Sequence, residues 1–390
     1  MPNERPATET WTDAAPEDAR TLVPDAPTTE ESGQPERTSP SGEARTTVLP
    51  DIVTGGARPT LRGRSEPRFV SLGAAGEGGL GEVRVALDQD IGRKVAIKRI
   101  RADRLSSAAV VRFVQEIRTI GRLEHANIVP IHDVGRDDTG ALYFVMRYVE
   151  GETLEAVIAR LRAGDAATHR AWGFERRVQV IGQVLEALAF AHANGVIHRD
   201  LKPANIMIGR YGEAMLLDWG VAHAAGEGNG VTGSPAYMSP AQARGEAADA
   251  RCDVYAISVV MHELLTLRHY LEDCTTVADT LRGVQERPVP LAGSVRNGVQ
   301  TPVPMDLTWF VAKGVEKDPT KRYPSARAML DRLAARAEGD IPIQCHVTFT
   351  QRASASVVKW MNRNGLLAAF LLVSVPVVTL GSLVVWVATR

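Results

Sequence analysis

The residues best placed to do chemistry lie in His198-Arg199-Asp200-Leu201-Lys202-Pro203-Ala204-Asn205 and, eighteen positions after Asp200, in Asp218-Trp219-Gly220. A carboxylate at Asp200 can accept the proton of an incoming hydroxyl, and Lys202 can neutralise a phosphoryl group in transfer. The Asn205 carbonyl oxygen and the Asp218 carboxylate are hard donors of the kind that Mg²⁺ takes. Upstream, Gly76-Glu77-Gly78-Gly79-Leu80-Gly81-Glu82-Val83 spaces glycines so that backbone N–H groups can close over phosphates. A dinucleotide-binding turn would open a helix at its third glycine and place an acid about 20 residues on. Here a strand pattern follows, then Val95-Ala96-Ile97-Lys98, and that excludes the dinucleotide reading. A lysine in a buried strand needs a charged partner, and Glu116 on the next helix is the natural one.

These groups must be held by elements that the pattern already outlines. Residues around 68–100 read as strand, glycine turn, strand, strand, and 108–122 has helical spacing through Val111, Phe113, Val114, Ile117 and Ile120. A further strand ends near Gly151. The chain then turns helical, with helices expected around 153–164 and 176–195, and later at 253–266, 305–315 and 324–337. A small sheet with one helix is thus followed by a larger helical region, an α+β architecture.

The ends differ from this centre. Residues 1–60 hold eleven acidic and five basic residues, no lysine and few apolar groups, so 1–65 is expected to be a disordered acidic tail. Residues 365–389 carry no charge, and at about 1.5 Å per residue they can cross about 30 Å of hydrocarbon. The expectation is a transmembrane helix over 364–389, joined to the rest by a juxtamembrane connector over 338–363. Arg352, Lys359 and Arg363 before it against Arg390 after it predict a single pass with everything N-terminal in the cytoplasm. Trp360 and Trp386 fall near its two edges. No early apolar run suggests a signal peptide. The spacing Gly365-x-x-x-Ala369 would suit a homodimer, though such spacings are frequent. A net charge of −1 argues against nucleic acid as a partner, and Cys252, Cys274 and Cys345 are too few and too far apart for a disulfide scaffold.

Taken together and in this order, the motifs resemble those of eukaryotic-type (Hanks-type) protein kinases, nearest the bacterial Ser/Thr branch, over about residues 66–337. The resemblance implies a bilobal kinase fold, with a β-rich N-lobe over 66–150 and a helical C-lobe over 151–337. It implies ATP and Mg²⁺ as cofactors, with Mn²⁺ as an alternative metal. Asp200 would be the catalytic base, Asn205 and Asp218 the metal ligands, Lys98 the partner of the α- and β-phosphates and Glu116 the partner of Lys98. Gly76, Gly78 and Gly81 would cover the phosphates. Val83, Ala96 and Met207 would sandwich the adenine, Met146 would stand at its back, and the backbone of Arg147, Tyr148 and Val149 would hold its edge. Ile120, Ile131, His198 and Trp219 would form the apolar stack between the lobes, anchored by Asp253.

Gly233-Ser234-Pro235-Ala236-Tyr237-Met238-Ser239-Pro240 resembles the family's substrate-docking segment, with Ser234 where Thr is usual and its hydroxyl able to bridge Asp200 and Lys202. Thr232 would be the phosphate-accepting hydroxyl of the preceding loop, with Arg199 as the cation that receives it. One departure concerns stability. Ala241 stands where the family has a Glu that pairs with an arginine matching Arg322; Gln242 or Glu246 could substitute, or the C-lobe could be less rigid. The expected function is a membrane-anchored Ser/Thr kinase of protein substrates, with autophosphorylation. The competing readings are a pseudokinase scaffold and a small-molecule phosphotransferase; the intact catalytic set disfavours the first and the peptide-docking segment the second.

Overall fold

The computed structural model describes residues 47–49, 51–53, 60–63, 65–77, 81–101, 106–137, 139–219, 223–224 and 233–365, together with positions 374 and 386. Strands β1 (Asp51–Val53) and β2 (Thr60–Arg62) pair antiparallel, Ile52 opposite Leu61. This corrects the expectation of a disordered tail reaching residue 65. Average composition hid a local cluster of apolar residues, Val48, Leu49, Ile52 and Val53, around Pro50 and Asp51. That cluster is also tied down: the Thr47 N–H donates to the Glu66 carbonyl at 2.9 Å, and the Val48 and Leu49 N–H groups donate to the Asp90 carboxylate at 3.0 and 3.1 Å. Residues 1–46, which carry most of the expected acidic tail, lie outside the described residues.

A five-stranded antiparallel sheet follows, built from β3 (Phe69–Glu77), β4 (Gly81–Asp88), β5 (Arg93–Ile100), β6 (Ile131–Arg136) and β7 (Leu142–Arg147) in the order β3-β4-β5-β7-β6. Alternation sorts β5 into two faces. Val95 joins Ala86, Tyr143 and Val145 in a small core on one side. Ala96 and Lys98 face the other way, opposite Met146 and Phe144. Helix α1 (Ser107–Ile120) covers that second face. Ser106 caps it, accepting from the Ala109 N–H at 3.2 Å. Its buried stripe is Ala109, Phe113, Glu116 and Ile120, and Val111, expected on that stripe, is exposed.

The larger region runs through β8 (Gly151–Thr153), α2 (Leu154–Arg162), α3 (Ala166–Ala171), α4 (Phe174–Ala193), β9 (Val196–Ile197), β10 (Ile206–Gly209), β11 (Ala214–Leu216) and β12 (His223–Ala224). It continues through α5 (Pro240–Ala243), α6 (Ala250–Thr266), α7 (Val277–Glu286), α8 (Met305–Gly314), α9 (Ala326–Ala337) and α10 (His346–Arg363). Every residue of helix α6 from Cys252 to Thr266 is buried, including Asp253, His262 and Glu263, so it is the axis on which α4, α8 and α9 pack. One apolar core extends from Phe113 and Phe144 beside the sheet to Met329 on α9. Residues 346–363, expected only as a connector, form helix α10. Among the described residues no helix is long and apolar enough to cross a membrane. The transmembrane helix expected over 364–389 lies, apart from residues 364, 365, 374 and 386, outside the described residues.

Candidate active site

Strand β5 and helix α1 bring the first two groups together. Register sets Lys98 opposite Val83 on one side and Phe144 on the other, with its ammonium 5.9 Å from the Phe144 ring. The ammonium lies 2.6 Å from Glu116 Oε1 and 3.0 Å from Asp218 Oδ1. Glu116 is the one carboxylate in an otherwise apolar stripe, and the Lys98 ammonium compensates its burial there. Burial alone would lower the Lys98 pKa, but the two carboxylates outweigh it and hold the ammonium above its ordinary value. Burial likewise pushes Asp218 up, and Lys98 more than reverses that, leaving the carboxyl below the usual range.

Asp218 and Arg199 both have left-handed backbone, φ 56° and 67°. A non-glycine residue held there is strained by about 1 kcal/mol or more, so surrounding bonds must over-determine it. For Arg199 the bonds are visible. Asp253, fully buried at the start of α6, accepts the His198 N–H at 2.8 Å, the Arg199 N–H at 2.9 Å and His192 Nε2 at 2.8 Å. Burial would raise the Asp253 pKa, but these donors bring the carboxyl below its ordinary value. The His198 ring in turn reaches the Leu217 carbonyl at 3.0 Å and packs on Trp219 at 4.6 Å between centroids. The two strained positions are thus joined through His198 and Trp219. Asp253 is legible in the sequence as an anchor, whereas His192, a polar residue near the end of α4, is not.

Among the described residues, the hydrogen bonds of Asp200 run to two segments, 198–205 and 233–240. Lys202 Nζ donates to Asp200 Oδ2 at 3.0 Å and to Ser234 Oγ at 2.9 Å. The Ser234 backbone N–H, rather than its hydroxyl, donates to Asp200 Oδ1 at 2.6 Å. Gly233 makes that approach feasible: its φ is +112°, and a Cβ there would stand 2.9 Å from the Arg199 carbonyl. Asn205 Nδ2 donates to the Asp200 carbonyl at 2.8 Å, which leaves the amide oxygen free to accept or ligate. The side chain of Asp218 is 44% exposed where that of Lys98 is 12%, so the carboxylate opens to the cleft. An amide oxygen and a carboxylate make an all-oxygen set that fits a hard divalent cation, with phosphate and water oxygens completing it.

The remaining expected residues fall as follows. Ala96 and Met146 are paired across β5 and β7, and Met207 lies in β10 between Thr153 and Met215. Val149 is buried just after β7, and Arg147 pairs with Glu213 at 3.6 Å. Gly76 faces Val83, and Gly81 opens β4 so close to β5 that a Cβ would meet the Arg99 carbonyl at 2.6 Å. Gly78, Gly79, Leu80, Gly220 and Thr232 lie outside the described residues.

The pairing expected for Arg322 is corrected. Gln242 closes a capping box with Ser239 and donates to the Arg199 carbonyl at 3.0 Å, while Glu246 pairs with Arg244 at 2.5 Å. Arg322 instead donates to the carbonyls of Glu316, Arg251 and Lys317 at 2.6, 3.1 and 2.8 Å. A second unforeseen chain links the docking segment to α6: Tyr237 Oη donates to Glu263 at 2.7 Å, and Glu263 accepts from Arg162 at 3.1 Å.

This arrangement has a known counterpart, since the protein kinase domain family matches residues 69–333. The chain belongs to the protein kinase family. Among curated kinases it is similar to serine/threonine-protein kinase PknB of Mycolicibacterium smegmatis, 38% identical over 278 residues that cover 68% of this chain and 42% of the relative. It is 36% identical to PknB of Mycobacterium tuberculosis, with the same coverage of 68% and 42%. A third relative, serine/threonine-protein kinase PksC of Streptomyces coelicolor, is 33% identical over 68% of this chain and 49% of its own length. The chain therefore spans less than half the length of these kinases.

Proposed function

We propose that the protein is an ATP-dependent serine/threonine protein kinase anchored in the cytoplasmic membrane. The observation that carries the reading is the placement of two linked sets, Lys98 bonded to Glu116 and Asp218, and Asp200 bonded to Lys202 and Ser234. Lys98, oriented by Glu116, would bind the α- and β-phosphates of ATP. Asn205 and Asp218 would hold Mg²⁺, which when bound supplies charge neutralisation at the phosphates. An acceptor hydroxyl would form its bond to the γ-phosphorus as the bond to the β–γ bridging oxygen breaks. Its proton would pass to Asp200, and Lys202 would stabilise the negative charge on the transferred group. The contact between Ser234 and Asp200 supports protein substrates, because it ties the peptide-docking segment to the base.

Autophosphorylation at Thr232, with Arg199 receiving the phosphate, belongs to the same reading. So does the single membrane pass over 364–389, with residues 1–363 cytoplasmic; the uncharged run and the basic residues before it support it. Lys98→Met tests the nucleotide assignment. It should remove ATP-dependent labelling while leaving the far-ultraviolet circular dichroism of the full chain unchanged. Labelling equal to wild type would refute it.

A further inference from the structure

Helix α10 carries an apolar stripe on the side turned away from the domain. Its inner face is set by three positions. Thr348 is buried, Gln351 reaches Asp306 at 3.4 Å, and Ala355 lies so near Gly339 that a Cβ added there would stand 2.8 Å from its methyl. At about 3.6 residues per turn these three share one face. Phe349, Ala353, Val357 and Trp360 recur at helical spacing on the opposite face. Phe349 and Val357 are each 56% exposed and Trp360 is 42% exposed.

The flank of this stripe is cationic. Arg352, Lys359 and Arg363 run along one side of it, and the helix contains no Asp or Glu. Arg352 lies 3.4 Å from Asp340, while Lys359 and Arg363 have no carboxylate partner among the described residues. The helix ends at Arg363, two positions before the uncharged run begins at Gly365. A helix with a narrow aromatic and aliphatic stripe, a basic flank and no acid is the kind that lies in the headgroup layer of a bilayer.

We propose that α10 lies along an anionic phospholipid surface, with Phe349, Val357 and Trp360 at the boundary of headgroups and acyl chains and Lys359 and Arg363 against lipid phosphates. The kinase domain is then docked on the membrane through α10 and does not hang from a free tether. This rests on the membrane-anchoring reading for how α10 reaches the surface, and the stripe and the cations are independent observations for the docking itself.

Site-specific photocrosslinking of the full chain in vesicles tests it. A benzophenone amino acid replaces Val357 in the stripe or, as the control, Ser354 outside it. In phosphatidylglycerol vesicles the 357 probe should capture lipid severalfold more than the 354 probe. That excess should shrink in phosphatidylcholine vesicles and in the K359Q/R363Q double variant. Flotation with the vesicles but equal capture at both positions, or adducts at 357 to protein only, overturns the docking while leaving the anchor intact. Failure of the full chain to float with either vesicle overturns the anchoring reading and the docking with it.

Discussion

The guanidinium of Arg322 lies 4.9 Å over the ring of Tyr255, and its N–H groups go to backbone carbonyls where a carboxylate was expected. A buried arginine left without an acid would ordinarily cost several kcal/mol. Here Glu316, Arg251 and Lys317 supply the acceptors and Tyr255 the face, so Ala241 does not leave the charge stranded. Arg322→Met should therefore cost about 2 kcal/mol of folding stability through lost carbonyl hydrogen bonds and ring contact. Because Gln242 bonds elsewhere, Arg322→Met and Gln242→Ala should add to within about 0.5 kcal/mol. Denaturant titrations of the single and double variants check this, and strong coupling would show that Gln242 has taken the missing acid's place.

A second prediction concerns pH. His262 on α6 is buried and accepted by the Pro290 carbonyl at 2.9 Å, and burial pushes its pKa down to about 4. Between that value and the ordinary value of about 6.5, the unfolded chain binds a proton that the folded chain refuses. The contribution is thus full above pH about 6.5 and is lost as pH falls toward 4. Stability should drop by about 1.4 kcal/mol for each pH unit within the window from this group. In His262→Leu the drop between pH 6.5 and 5 should be shallower by about 2 kcal/mol. Parallel slopes in urea titrations of the two proteins would show that His262 is not the titrating group.

Ser234 offers a third test, because its two polar groups go to different partners. Its backbone N–H serves Asp200 and its hydroxyl serves Lys202. Ser234→Ala keeps the first bond and loses the second, so it should slow transfer by about tenfold, consistent with one lost charge-assisted bond. Ser234→Thr should restore the rate. A Ser234→Ala enzyme as fast as wild type would mean that Lys202 needs no partner from the docking segment.

Much of the cleft could be read before the fold was known, for a physical reason. Asp200, Lys202 and Asn205 act within one short turn, and Lys98 in an apolar strand demands an acid, so local spacing carries the information. The positive φ of Arg199 could not be read, because the bonds that hold it come from Asp253 on a distant helix. Nor could the capping of Arg322, since backbone carbonyls leave no mark on side-chain pattern. The pairing of β1 with β2 was lost by averaging over a polar tail. Val111 was placed on the wrong face of α1 because Glu116, a charged residue, occupies the buried stripe.

The central claim is that Asp200 is the base of a phosphoryl transfer to protein hydroxyls. The most direct measurement follows γ-labelled ATP into a Ser/Thr acceptor protein such as casein, with the full chain and with Asp200→Asn, each with Mg²⁺ and with chelator. The account predicts Mg²⁺-dependent label on Ser or Thr for the wild type and a loss of about 10²-fold or more for Asp200→Asn at unchanged fold. Asp200→Asn label equal to that of the wild type, or a wild type that transfers no label with Mg²⁺ present, would contradict it.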